Sequence, residues 1–329
     1  MTLRNQTPDF PRSIFEFTQR FSTVEACWEY LRWARWPKKG EPVQSQSGSP
    51  LYTFISTRKI WEFEDGKQMS VTSGTVMNRT KVPLTMWFWA AYLVAVQTPG
   101  ISAVQLGKHL GIRYETAFQL LHKLRVGLVN PDRTLLTGVV EVDEAFIGGR
   151  KKGHRGRGAA GKSLVIGAVE VVTYLNHKGI LVERAGRVRL KKIPDASGVE
   201  LMDFLRENVT GSTVVRTDGW TGYNATAQTG YRHEVITGET SVDVAEQLIH
   251  IHRVFSNLKT WLAGTHHGVS GKHLQAYLNE HTFRFNRRQS PFQSFASALG
   301  IATKVVGPEY EEIYTAGEEG GWKHGDHNL

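Results

Sequence analysis

Cysteine is nearly absent from this sequence, because Cys27 is the only one among 329 residues. One thiol can neither close an internal disulfide nor supply a cysteine-rich metal site. Long apolar runs are also missing: the longest covers 86–96, well short of the roughly 20 residues that a membrane-spanning helix needs. The opening stretch MTLRNQTPDFPRS has no apolar core, so no signal peptide is predicted. We therefore expect a cytoplasmic protein.

Acidic residues are in the minority. The chain has 31 Asp and Glu against 40 Lys and Arg, which gives a net charge of +9 and a pI near 9.6. Such an excess favours a polyanionic partner such as nucleic acid, although a basic soluble enzyme is the alternative. The length predicts two or three folding units.

The first half contains a pattern typical of a helix-turn-helix, in GISAVQLGKHLGIRYETAFQLLHKLR. Ser102 caps a short predicted helix that ends near Leu110, Gly111 supplies the turn, and a second helix runs from about Tyr114 to Leu124. An ordinary helical hairpin remains the alternative. In the DNA-binding interpretation, the second helix presents these side chains to DNA: Arg113, Tyr114, Thr116, Gln119 and Lys123.

The second half reads as a mixed α/β sheet. The stretches TGVVEVDEAFIG, SLVIGAVEVVTYL, ILVERAGRVRLKKI and STVVRTD have the composition of strands, and ASGVELMDFLREN reads as a helix before the last of them. Three adjacent strands, a helix and a fourth strand predict a mixed sheet with flanking helices.

Two aspartates at strand ends stand out within this sheet. On the strand VVEVDEAFI, Glu141 and Asp143 share one face because side chains alternate along a strand. Asp218 ends another predicted strand and is followed at once by Gly219. Two carboxylates that converge can bind hard divalent ions, and such ions can activate water for attack on a phosphodiester. Taken singly, an aspartate in this position is more often a turn or cap residue.

Several ordered motifs resemble the ISXO2-like insertion-sequence transposases of the IS1595 group. They are EVDEAFIGGRKKGHRGRGAAGKSLVIGAVE, TDGWTGY and GTHHGVSGKHLQAYLNEHTFRFNRR, together with MSVTSGTVM, KVPLTMWFWAAYL and the helix-turn-helix stretch. The resemblance implies a ribonuclease H-like catalytic domain that cuts and joins double-stranded DNA at transposon ends and at a target. It also implies an acidic metal-binding triad of the DDE type, one or two Mg²⁺ or Mn²⁺ ions, and a homo-oligomer on DNA.

The resemblance implies which three residues of this sequence form the triad. Asp143 matches the first acid and Asp218 the second. The family places a lysine seven positions after the third member; here that lysine is Lys259, so the third member is His252. Asp143, Asp218 and His252 are therefore the predicted catalytic and metal-binding residues, and Lys259 is a predicted DNA contact.

His252 is a departure, because the family has an acid, or in some members Asn, at this position. An imidazole suits Mg²⁺ less well than a carboxylate does. Loss of the third ligand, with a weakened centre, is the alternative, and Glu246 and Asn257 are substitutes in poorer register. Glu141 and Glu144 are interpreted as acids outside the metal-binding set.

A basic glycine-rich segment, Gly149–Lys162, follows the first acidic strand and could clamp the DNA backbone. A solvated loop is the alternative. Its predicted DNA contacts are Arg150, Lys151, Lys152, Arg155, Arg157 and Lys162.

Many relatives carry a zinc ribbon before the SVTSGTV motif, but the matching stretches here, EPVQSQSGS and WEFEDGKQ, have no cysteine. We therefore predict no structural zinc.

The predicted organisation is an N-terminal helix with degenerate zinc-ribbon-like hairpins (1–80), the helix-turn-helix (81–130), the ribonuclease H-like domain (135–305) and a flexible tail (306–329). We predict a nucleoid-associated transposase; a catalytically decayed DNA-binding protein and a structure-selective nuclease are the alternatives.

Overall fold

The computed structural model describes residues 10–36, 48–148, 162–237 and 247–315. The described residues form two compact units. One contains the chain up to Pro131 and then Arg287–Thr315, and the other contains Asp132–Asn286. No helix in these ranges is long and apolar enough to cross a membrane.

The first unit starts with two helices, a small antiparallel sheet and three more helices. The elements are α1 (Ile14–Arg20), α2 (Val24–Arg35), β1 (Leu51–Ile55), β2 (Ile60–Phe63), β3 (Gln68–Ser70), α3 (Leu84–Val96), α4 (Ala103–Leu110) and α5 (Tyr114–Val126). The sheet order is β1-β2-β3. Its β2–β3 hairpin turns at Asp65 and Gly66, where glycine takes a positive φ of 76°.

Helices α4 and α5 lie where the sequence predicted a helix pair. The Ser102 hydroxyl accepts a hydrogen bond from the N–H of Gln105 and caps α4. Gly111 ends α4 in the left-handed conformation, with φ 65°. The apolar face of α5, including Ala117, Leu121 and Leu124, is buried. Its role as a DNA-recognition motif stays a prediction.

The second unit is built on a five-stranded mixed sheet. Its elements are β4 (Val139–Ile147), β5 (Ser163–Leu175), β6 (Leu181–Ile193), α6 (Gly198–Asn208), β7 (Val214–Thr217), β8 (Arg232–Val235), α7 (Ile249–His266) and α8 (Leu274–Asn286). The strand order is β6-β5-β4-β7-β8. Strands β4, β5 and β6 are antiparallel neighbours, whereas β7 and β8 run parallel to β4. This arrangement is consistent with the predicted ribonuclease H-like sheet.

Strand β8 was absent from the sequence prediction. It has only four residues, and two of them, Arg232 and Glu234, are charged. A short strand with charged side chains gives little alternation to detect. Its pairing with β7, from Val214↔Arg232 to Thr217↔Val235, is a tertiary contact that satisfies the backbone groups of both strands.

The two faces of the sheet bury different helices. Val140 and Val142 of β4 pack in one apolar cluster with residues of α6 such as Phe204. On the other face, a second cluster joins Val165 and neighbouring sheet residues to one side of α7, which includes Ile251, Phe255 and Leu258. The alternation along β4 therefore turns its even-numbered residues toward α6 and its odd-numbered residues toward α7.

The last described part of the chain forms two further helices of the first unit, α9 (Pro291–Ala302) and α10 (Tyr310–Thr315). The fully buried Phe295 of α9 packs against aromatic rings of α1, α2 and α3, including Phe17 and Phe88. The predicted catalytic domain, 135–305, includes the residues of α9, but no helix is predicted there from the sequence. In the predicted tail 306–329, residues 310–315 are helical and bury Ile313.

Candidate active site

Asp143, in the middle of β4, lies level with Asp218, at the end of the neighbouring parallel strand β7. Strands β4 and β7 pair Val139 with Val214 and Glu141 with Arg216. The same offset carries Asp143 to Asp218, which directly follows the last residue of β7. Because neighbouring strands lie about 4.8 Å apart, the register brings the two acids together at one end of the sheet.

His252 reaches this position from helix α7. Its Nε2 atom lies 3.6 Å from Oδ2 of Asp143, and the side chains are 41% and 15% exposed, respectively. The structure thus brings Asp143 close to both of the other predicted triad members. Among the described residues, however, no group of three or more His, Cys, Asp or Glu side chains is arranged to hold a metal ion.

The electrostatic environment of Asp143 disfavours its charged form. Burial raises the pKa of this carboxyl, and the neighbouring Asp218 raises it further. A backbone hydrogen bond at Glu144 and the positive potential of His252 and Lys259 act in the opposite direction. The net result is a raised pKa, which is what a buried carboxylate beside a second carboxylate is expected to show.

Glu141, two residues earlier on the same face of β4, is held by helix α7. Its Oε2 atom accepts hydrogen bonds of 2.9 Å from the backbone N–H groups of His250 and Ile251. The residue is only 1% exposed. Burial raises its pKa to about 7, although the two backbone hydrogen bonds act in the opposite direction. This contact was invisible in the sequence, because α7 lies more than 100 residues further along the chain.

A cleft of about 540 Å³ opens beside Asp143. His252, Ser256 and Lys259 line it from one side of α7 at helical spacings of four and three residues. Lys162, immediately before β5, lines it as well. Sequence reasoning missed Ser256, although a helical projection from His252 to Lys259 would have found it.

Glu144 turns to the opposite face of β4. There its Oε1 atom accepts a hydrogen bond from the hydroxyl of Tyr223. Tyr223 is fully buried in the cluster beside α6, and burial, together with Glu144, raises the pKa of its hydroxyl well above the ordinary value. Tyr223 is therefore a core residue that anchors Glu144.

Of the predicted DNA contacts, Lys162 and Lys259 line the cleft and Thr116 is half-buried in α5. The others fall into three groups. Arg113 and Tyr114 are exposed at the start of α5. Gln119 and Lys123 are half-buried beside α10: Gln119 donates a hydrogen bond to the hydroxyl of Tyr314, and burial lowers the pKa of Lys123. Five predicted contacts lie outside the described residues: Arg150, Lys151, Lys152, Arg155 and Arg157.

A mixed sheet that carries one aspartate in the middle of a strand and a second at the end of the neighbouring strand, with basic side chains at the rim, is an arrangement suited to phosphoryl transfer on a polyanion. Residues 135–286 match the family model described as the ISXO2-like transposase domain. These bounds nearly coincide with the second compact unit, Asp132–Asn286. The chain therefore carries an ISXO2-like transposase domain, and the predicted family is confirmed.

Comparison with solved structures gives a weaker likeness. A chain of the simian T-cell lymphotropic virus intasome, in complex with PP2A regulatory subunit B56 gamma, is 14% identical, with a TM-score of 0.25. The match covers 54% of this chain and 63% of that one, which is less than two thirds of its length. A TM-score this low does not establish a shared fold. No curated protein matches the sequence.

Proposed function

We propose that this protein is a DDE-type transposase that cuts DNA at transposon ends and joins the freed ends to a target. The observation that carries the proposal is the register of β4 and β7, which sets Asp143 beside Asp218 within a domain of a transposase family. In the reaction, water attacks a phosphodiester and releases a 3′ hydroxyl. That hydroxyl then attacks a phosphodiester of the target.

Asp143 and Asp218 are the residues that we assign to a divalent ion. Their carboxylates are the hard oxygen donors that Mg²⁺ and Mn²⁺ prefer, and their mutual repulsion in a mostly buried position favours a bound cation. His252 suits Mn²⁺ better than Mg²⁺. When bound, one or two such ions supply activation of the nucleophile and stabilisation of the leaving oxygen.

The other side chains of the cleft are suited to holding the DNA backbone. Lys162 and Lys259 bring positive charge to its walls, and phosphates bind such charges without regard to base sequence. The helix-turn-helix of α4 and α5 would recognise the transposon end, with Arg113 and Tyr114 at the exposed start of its second helix. We propose a homo-oligomer on paired ends in the cytoplasm, associated with the nucleoid.

A cleavage assay tests the proposal. Purified protein is incubated with a duplex that carries a transposon end, first with Mg²⁺ and then with Mn²⁺, and the strands are resolved on a denaturing gel. We expect nicked strands and strand-transfer products, both lost in Asp218→Asn. Asp203→Asn is the matched control, because Asp203 is an exposed residue of α6 that pairs with Arg206.

His252 motivates a second candidate, a DNA-binding protein with a decayed catalytic centre. The imidazole lies against Asp143 where the family has a carboxylate or amide. End binding without cleavage in either ion would support this candidate and contradict the transposase. Cleavage of branched or unpaired DNA without strand transfer would instead favour a structure-selective nuclease.

A further inference from the structure

Strand β4 carries a buried acid that the proposed chemistry leaves without a role. Glu141 is 1% exposed, and it precedes Asp143 by two residues, so both side chains project from the same face of the strand. A buried carboxylate is costly unless it is hydrogen-bonded. Its hydrogen bonds therefore show where its stabilisation comes from.

Those hydrogen bonds connect the strand to the first turn of α7. Leu248, at the N-cap position, provides no side-chain hydrogen bond to the helix. Glu141 provides it instead, because its Oε2 atom accepts from the N–H groups of His250 and Ile251, each at 2.9 Å. These are the second and third residues of the helix, the two amides that an N-cap side chain ordinarily serves.

The residue that follows these two amides is His252, whose Nε2 atom lies 3.6 Å from Asp143. One carboxylate oxygen on β4 therefore holds the turn that presents His252, while the same strand presents Asp143. A negative charge at this place also interacts favourably with the N-terminal end of the helix dipole. The link joins the residue two positions before Asp143 on β4 to the two residues that directly precede His252 on α7.

We propose that Glu141 is a positioning residue, which sets the start of α7 against β4 and so places His252 and Lys259 relative to Asp143. The inference rests on the proposed function, since it assigns a role within that site. Glu141 touches neither substrate nor ion in this role. It acts through the helix, because its hydrogen bonds fix the position and orientation of the first turn of α7 relative to β4. His252 projects from that turn.

Three substitutions separate positioning from general stability. Glu141→Gln keeps an acceptor oxygen at the same reach, Glu141→Asp keeps the charge but is one methylene shorter, and Glu141→Ala removes the acceptor. Leu205→Ala is the stability control. Leu205 is a fully buried residue of α6 on the other face of the sheet, so its truncation destabilises the unit without touching α7.

Cleavage kinetics are measured on the full chain at a temperature where all variants are folded. We expect kcat to fall on the order of 10- to 100-fold in the Asp and Ala variants, the range for residues that orient others. The dissociation constant for DNA should stay within about twofold. Glu141→Gln should recover most of the rate, and Leu205→Ala should cleave like the wild type. An Ala variant with wild-type kcat, or an equal loss in Leu205→Ala, overturns the inference.

Amide hydrogen exchange gives a readout that does not depend on activity. In Glu141→Ala we expect faster exchange from His250 through Ser256, and wild-type exchange in α6. Glu141→Gln should restore the protection. If the wild type cleaves no DNA, the proposed function fails, yet exchange still decides the inference: unchanged protection at His250 and Ile251 in the Ala variant would reject it.

Discussion

Two buried glutamates on neighbouring strands, Glu141 of β4 and Glu170 of β5, have opposite environments. Burial alone would raise the pKa of Glu170, but hydrogen bonds from Arg187 and from the N–H of Thr137 bring it below its ordinary value. Glu141 is bound by two helix amides, and burial raises its pKa to about 7. The charge of Glu170 is thus compensated by its partners, whereas the charge of Glu141 is only partly compensated.

The difference separates a fully paired structural carboxylate, Glu170, from the region around the candidate active site, where carboxyl pKa values are raised. Arg187 contacts Glu170 and also donates to the backbone carbonyls of Thr134 and Leu135, so the pair ties the entry of β4 to β5 and β6. Near Glu141, two more acids, Asp143 and Asp218, lie close together. Groups with disfavoured charge gathered in a cleft are typical of functional sites, whereas fully paired groups are typical of structural ones.

The largest expected effect comes from Asp143→Asn. We expect cleavage to fall by about 10³-fold or more, as for a member of a catalytic set that acts as a unit. The melting temperature should not fall, because the change removes a buried charge that repels Asp218. Gel-based kinetics and thermal unfolding check the two halves of this prediction. A large drop in melting temperature would mean that Asp143 is structural, like Glu170.

Arg187→Ala should show the reverse pattern. Removing the partner of a mostly buried carboxylate is expected to lower the free energy of unfolding by about 3 kcal/mol. Urea denaturation measures the change, and cleavage well below the midpoint should stay near the wild-type rate. Arg206→Ala, in an exposed pair with Asp203, is the control and should change stability by less than about 1 kcal/mol. Equal losses in the two variants would contradict the comparison.

Ser256→Ala should have a smaller effect, confined to activity. The hydroxyl lines the cleft between His252 and Lys259, and a single hydrogen bond to a DNA phosphate contributes about 1–1.5 kcal/mol. We therefore expect kcat/KM to fall by about tenfold with unchanged stability. Thr260→Ala, which removes an exposed hydroxyl of the same helix, should leave kcat/KM unchanged. A similar loss in both variants would point to the helix rather than to the cleft.

Lys162→Ala should have the smallest effect. Loss of one phosphate contact is expected to weaken DNA binding uniformly across sequences and to reduce the slope of log affinity against log salt by about 1. Fluorescence anisotropy over a salt series measures this slope. Lys178, exposed in the turn between β5 and β6, provides the control substitution Lys178→Ala. An unchanged slope in Lys162→Ala would remove this residue from the DNA contact.

Much of the local structure was predictable because local rules decide it. The hairpin at Asp65 and Gly66, the helix cap at Ser102 and the turn at Gly111 depend on residues within a few positions of one another. Strand β8 and helices α9 and α10 were missed. Strand β8 forms because it pairs with the edge of β7. Helix α9 is stabilised because Phe295 packs against aromatic rings of helices that are distant in the sequence.

The sequence by itself determined the alternation that puts Glu141 and Asp143 on one face of a strand, and the motifs by which the chain resembles the ISXO2-like transposases. Only the tertiary structure decided what these acids meet. The parallel register of β4 and β7 aligns Asp143 with Asp218, and the packing of α7 brings His252 to Asp143 and two free helix amides to Glu141. The physical reason is the sequence distance over which each property is set. The direction of a side chain follows from the backbone of a few neighbouring residues. The compensation of its charge depends on groups that folding brings from far along the chain.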